Sequence, residues 1–146
     1  MQQINEVVIG LLDTYDTTCP YKLCTLLGID IVKLERTDPI LCRNNSIYIR
    51  NYLETETIFI RNDLAEESEK FYIRHELGHA ILHPNIRNSY NTHLLNRYKL
   101  EKQANYFALK LSNIEFDGIE LNNMTLEQIA SCVGIPHTVL KQLANF

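Results

Sequence analysis

Residues 71–83 read FYIRHELGHAILH, and the fold turns on whether this run is a helix and what its polar residues do there. Phe71, Ile73, Leu77 and Ile81 recur at helical spacing until Pro84, which ends the pattern because proline lacks the N–H that a helix interior needs. On such a helix His75 and His79 project from one face about one turn apart. Both imidazoles can then reach a single zinc ion at about 2.0–2.1 Å. Glu76 points roughly 100° further round. It sits beside such an ion, where a carboxylate can take a proton from a water the ion has made acidic and pass it to a leaving amine. The competing reading is a core helix with two hydrogen-bonded histidines. It needs partners for three bulky polar groups packed beside Leu77 and Ile81, so the metal reading is favoured.

His83 is the tempting third ligand, but it lies two turns, or about 12 Å, beyond His75. A straight helix cannot bring both to one ion, so His83 is expected to stay outside it, either supporting a ligand from behind or in a structural role near the helix C-terminus and its last carbonyls. Zincins with a third histidine carry HExxHxxGxxH, where glycine breaks the helix; here Ile81 and Leu82 continue it. Glu101, in LEKQANYFALKL (100–111), is the alternative. It lies on the next predicted helix, which can return antiparallel after the polar stretch 84–96. Asn105 shares its face and can accept from a ligand histidine's other ring nitrogen. Ala104 and Ala108 allow close approach of the two helices, while Phe107 and Leu111 pack in the core. Spacing alone leaves Glu101 equally readable as an exposed residue of an amphipathic helix.

HELGHAILH followed by E-x-x-A-N-x-F-A resembles the ImmA/IrrE family of metallopeptidases, a branch of the gluzincins. The arrangement is similar over roughly residues 20–112 and specific at 74–83 and 101–108. The resemblance implies one zinc ion held by His75, His79 and Glu101, with Glu76 as catalytic base. Related gluzincins often have aspartate where Asn105 stands; asparagine still accepts the bond but raises the histidine's basicity less. The resemblance also implies cleavage of a regulatory protein, typically a helix-turn-helix repressor of a prophage or mobile element.

Tyr90, His93 and Tyr98 lie near enough in sequence to stabilise an oxyanion, a group that peptide hydrolysis needs beyond the metal. Zincins usually pair their substrates with a sheet edge, so ETIFIR (56–61) or SIYIR (46–50) is the expected substrate strand. Cys42 could in principle mask the ion as a fourth ligand.

Upstream, Ile4, Val7, Val8, Leu11, Leu12 and Tyr15 mark an amphipathic first helix, and Pro20 to Leu27 a second that stops at Gly28. IDIVKLE (29–35) is a strand, and ILC (40–42) with SIYIR suggests a hairpin around Arg43-Asn44-Asn45. Asn62 or Asp63 is the expected cap of the HELGH helix. Downstream, Thr125 and Gln128 form a capping-box pattern, and Pro136 opens a last helix. TLEQIASCVGIPHTVLKQL (125–143) resembles the core of a helix-turn-helix, with Ala130, Gly134 and Leu140 suitably spaced. One Lys and one Glu give it no net charge, so it reads as a helical pair packed on the catalytic region.

The 146 residues, 45% hydrophobic and 22% charged, fit a single α+β domain with a genuine core. The expected organisation is N-terminal helices (1–28), a zincin-like catalytic core (29–112) with a small mixed or antiparallel sheet packed on the HExxH helix, and a C-terminal helical pair (113–146). A net charge of −4 disfavours direct nucleic-acid binding. The apolar runs are too short for a membrane and the N-terminus lacks a secretory pattern, so a cytoplasmic location is expected. Cys19, Cys24, Cys42 and Cys132 form no CxxC pair and read as reduced, mostly buried thiols. The functional expectation is a zinc-dependent endopeptidase acting on a protein. Its rivals are a non-catalytic zincin-like binding or sensor module, which has no need of Glu76, and a DNA-binding regulator, which the charge disfavours.

Overall fold

A computed structural model describes residues 2–90, 96–112, 125–133 and 135–143. Two helices, α1 (Gln2–Tyr15) and α2 (Pro20–Leu27), precede strand β1 (Ile29–Leu34). A 3₁₀ turn at Pro39–Leu41 leads to β2 (Ser46–Tyr52) and β3 (Thr55–Arg61). Then come α3 (Glu66–Leu82) and α4 (Arg97–Leu111), followed by α5 (Leu126–Val133) and α6 (His137–Leu143). The architecture is α+β with a small mixed sheet, as expected for a zincin-like fold.

The sheet order is β1-β3-β2, with β1 parallel and β2 antiparallel to the central β3. Side chains alternate across a pleat, and β3 uses both faces. Ile58 and Ile60 join Tyr48, Ile73, Leu77, Phe107 and Leu111 in the main core. Phe59 faces the other way and packs with Leu41 and Ile47. On β2 the same alternation turns Ser46, Tyr48 and Arg50 toward α3, and this later matters for the site.

Three local expectations differ from the structure. ILC belongs to the 3₁₀ turn, where Cys42 and Arg43 take left-handed φ of 51° and 67°. The hairpin instead joins β2 to β3 through Leu53 and Glu54, at φ 47° and 70°, with a bulge between Ile49 and Tyr52. No Asn-Gly or Asp-Gly signal announced that turn. The N-cap of α3 is Ala65, without a side-chain bond, because Asp63 is engaged by the Arg61 guanidinium at 2.8 Å. Cys24 is buried, its thiol pushed up to about 12 by desolvation, whereas Cys19 and Cys42 are exposed.

Other signals are read as expected. Gly28 closes α2 in the left-handed region at φ 74°. Thr125 and Gln128 exchange both capping-box bonds, at 2.9 and 3.1 Å. Through Ala130, Ile135 and Leu140, α5 and α6 pack on Phe71 and Ala108, a separate small apolar cluster. Among the described residues, no helix is long and apolar enough to cross a membrane.

Candidate metal centre and active site

Gly78 sets the distance between α3 and α4. A Cβ there would lie 3.0 Å from Phe107 Cδ1 and 3.3 Å from the Ala104 Cα and carbonyl oxygen, so a side chain would press on α4 by a few tenths of an ångström. Across that seam His75 and His79 meet Glu101. His75 Nε2 lies 3.2 Å from Glu101 Oε2, and His79 Nε2 lies 3.1 Å from Glu101 Oε1. Ligand atoms of the three residues all fall within 4.8 Å of one another. Donors around tetrahedral zinc are separated by roughly 3.3 Å, so the spacing suits one ion.

The surrounding bonds aim these nitrogens. His75 Nδ1 lies 2.6 Å from the Asn105 side-chain oxygen, which accepts its proton and leaves the Nε2 lone pair free to bind an ion. His79 is fully buried, and among the described residues its Nε2 has no hydrogen bond of good geometry although Glu101 is near. A buried orphan of this kind is costly, and an ion between His79, His75 and Glu101 would satisfy it. Burial works against charge on both partners, but the carboxylate and imidazoles outweigh it. Glu101 is held well below the usual carboxylate range by the His75 and His79 imidazoles beside it, and His75 is raised mainly by Glu101.

Glu76 is buried beside this cluster. The Ser46 hydroxyl donates to its Oε1 at 3.0 Å, and its Oε2 has no partner among the described residues. One oxygen is thus fixed and the other is free, next to a cleft of about 200 Å³ that His75, Glu76 and Glu101 line.

A family model described as the IrrE N-terminal-like domain, a peptidase family, matches residues 26–145. The chain belongs to this family. The ImmA/IrrE resemblance of the two motifs therefore extends from the end of α2 to residue 145. Among its relatives, uncharacterized immunity region protein 2 of Bacillus phage phi105 is 28% identical, with 98% of this chain and 93% of that protein aligned. No solved structure matches.

Within this peptidase fold the remaining candidates separate. Tyr90 lines the cleft and rests against the Leu41, Ile47 and Phe59 cluster. Tyr98 is 69% exposed and lies off the cleft, because the second position of α4 faces solvent. His93 lies outside the described residues. Cys42 is also away from the centre; its thiol donates to the Pro39 carbonyl at 3.6 Å. The His83 ring does not bond the last carbonyls of α3. Arg50 does so instead, donating to the Ala80 and His83 oxygens at 3.2 and 3.3 Å.

The expected substrate strand needs correction too. β3 is central and paired on both sides, so ETIFIR offers no edge. SIYIR is an edge, but residues 87–89 already lie along part of it. Arg50 N–H donates to the Arg87 carbonyl, and Ser89 N–H to the Tyr48 carbonyl, at 2.6 and 2.9 Å. Peptide groups facing outward alternate along an antiparallel strand, so the next outward position is Ser46, which lines the cleft.

Two cleft residues carry no sequence signal of their own. Ser46 was legible only through the pleat, as the residue two before Tyr48 on the α3 side. Arg97, one turn before Glu101, lines the cleft with a buried Nε that has no partner among the described residues.

Proposed function

We propose that this protein is a zinc-dependent endopeptidase that cleaves a protein substrate, a helix-turn-helix repressor of a prophage or mobile element. The observation that carries the reading is the convergence of His75, His79 and Glu101 beside a buried Glu76 with one free oxygen. The peptidase family supports the reaction class, and a phage immunity-region relative supports a phage-borne regulatory substrate.

His75 and His79, through Nε2, and the Glu101 carboxylate would hold one zinc ion. When bound, the ion supplies Lewis acidity that polarises the scissile carbonyl and makes a water acidic. Glu76 does the proton work: Oε2 takes a proton from the attacking water and delivers it to the leaving amine. Ser46 keeps the carboxylate from rotating by donating to Oε1. Tyr90 and Arg97, both on the cleft wall, are the groups positioned to meet developing oxyanion charge. An extended substrate would pair at the outward peptide groups of Ser46, directly above the base. Val139 of α6 also lines the cleft, so the C-terminal pair contributes to its wall.

The test is incubation of zinc-loaded protein with candidate repressors, comparing wild type with Glu76→Gln. Cleavage by wild type alone is the expected result. Stoichiometric zinc with tight repressor binding and no cleavage by either protein would favour the rival binding module. Glu76 argues against that module, since a scaffold gains nothing from a buried base with a free oxygen.

A further inference from the structure

His83 and Gln103 lie outside the cluster of metal-capable residues, yet both are tied to it. His79 Nδ1 lies 3.0 Å from His83 Nδ1, and His83 Nε2 lies 2.9 Å from the Gln103 side-chain oxygen. A neutral imidazole carries one N–H and one lone pair, so such a chain has only two internally consistent polarities.

In the first, Gln103 accepts from His83 Nε2–H, His83 Nδ1 accepts from His79 Nδ1–H, and His79 keeps its lone pair on Nε2. In the second, the Gln103 amide is turned and donates through its NH₂, every bond reverses, and His79 carries its proton on Nε2. The second polarity places an N–H on Nε2, 3.1 Å from Glu101 Oε1 but without good hydrogen-bond geometry, where a metal-binding lone pair is needed. The amide orientation of a residue on α4 therefore sets the tautomer of a histidine on α3, through a third ring.

We propose that His83 and Gln103 are positioning residues that hold His79 in its Nδ1–H tautomer, so that Nε2 is presented as a donor before any ion arrives. The inference deepens the zinc reading and rests on it for its consequence, though the tautomer itself is a property of the metal-free protein. The anchoring of His83 suits this role. Its ring is buried at the end of α3, its N–H donates to the His79 carbonyl at 3.1 Å, and Arg50 grips its own carbonyl. With its backbone held and its buried ring bonded at both nitrogens, His83 keeps the same face toward His79. His75 reaches the same tautomer by a shorter route, a single bond to Asn105.

The test is ¹⁵N-histidine NMR of the metal-free protein, with zinc titration of wild type, Gln103→Met, Gln103→Glu and His83→Phe. Expected are an Nδ1–H signature for His79 and an Nε2–H signature for His83 in wild type. Gln103→Met should give mixed His79 tautomers and bind zinc about 10- to 100-fold more weakly. Gln103→Glu, which accepts but cannot donate, should restore both. Gln103→Met keeps the side chain's length, so it gives a reading even where His83→Phe fails to fold. An Nε2–H tautomer for His79 in wild type overturns the inference. So does zinc affinity unchanged in Gln103→Met while wild type binds zinc. Wild type with the expected tautomers but no zinc affinity would overturn the metal reading instead and leave the positioning role standing.

Discussion

Two helix pairs in this protein are built on opposite principles. The α3–α4 pair buries His75, Glu76, His79, His83 and Asn105 at its seam, whereas the α5–α6 pair attaches through Ala130, Ile135 and Leu140 on Phe71 and Ala108. An apolar attachment stabilises by removing area from water and tolerates adjustment. A polar seam is costly unless nearly every atom has a partner, and apolar residues of similar size would be at least as stable there. Among the described residues, the atoms left unsatisfied in the first pair are His79 Nε2 and Glu76 Oε2 at the candidate centre and Arg97 Nε on the cleft wall. One pair is organised around chemistry and the other around docking.

The contrast is broken most decisively through the ligands. His75→Ala and Glu101→Ala should each abolish stoichiometric zinc binding, measured by metal analysis after dialysis; undiminished zinc in both would sink the proposed centre. Glu76→Gln should retain zinc while losing about 10²- to 10⁴-fold in hydrolysis. In the other pair, Leu140→Ala should cost about 2–5 kcal/mol of local stability, read as faster amide exchange across 125–143. Zinc content should not change, and its loss would mean the two pairs are not independent.

Gly78→Ala probes the seam with a smaller change. Overpacking against Phe107 and Ala104 should cost about 1–3 kcal/mol. Better helix propensity returns about 1 kcal/mol. The expected result is a modest fall in denaturation midpoint with weaker zinc binding, because α4 carries Glu101 outward. A gain in stability with unchanged zinc would show that the seam has slack.

The smallest effect is in pH. In the metal-free protein Glu101 is lowered from 4.5, so its contribution is present above that value and lost as pH falls through its folded value. His75 is raised from 6.5, so its contribution is present below 6.5 and lost as pH rises through its folded value. The stability difference between wild type and Glu101→Gln should therefore be greatest between those limits, as followed by urea unfolding. Zinc must displace the His75 proton, so zinc affinity should rise with pH over the alkaline side of the same window.

The legible parts were those with local causes. Gly28, Pro84 and the Thr125–Gln128 box ended or began helices as read, since caps act over a few residues. The β2–β3 turn was missed because Leu53 and Glu54 occupy left-handed positions without the residues that favour them, so tertiary pairing imposed the turn. Tyr98 lies off the cleft because nearness in sequence says nothing about which face of α4 a residue occupies.

By itself the sequence determined that His75, Glu76 and His79 share a helix and that His83 could not join them on one ion, because helical periodicity is a local property of the backbone. Only the tertiary structure decided the rest. Packing of α4 at Gly78 brought Glu101 within 3.2 Å of both rings, and the pleat of β2 set Ser46 against Glu76. The crossing of two helices let Gln103 reach His83. Those contacts depend on distances between elements far apart in the chain, which are settled only when the core closes around them.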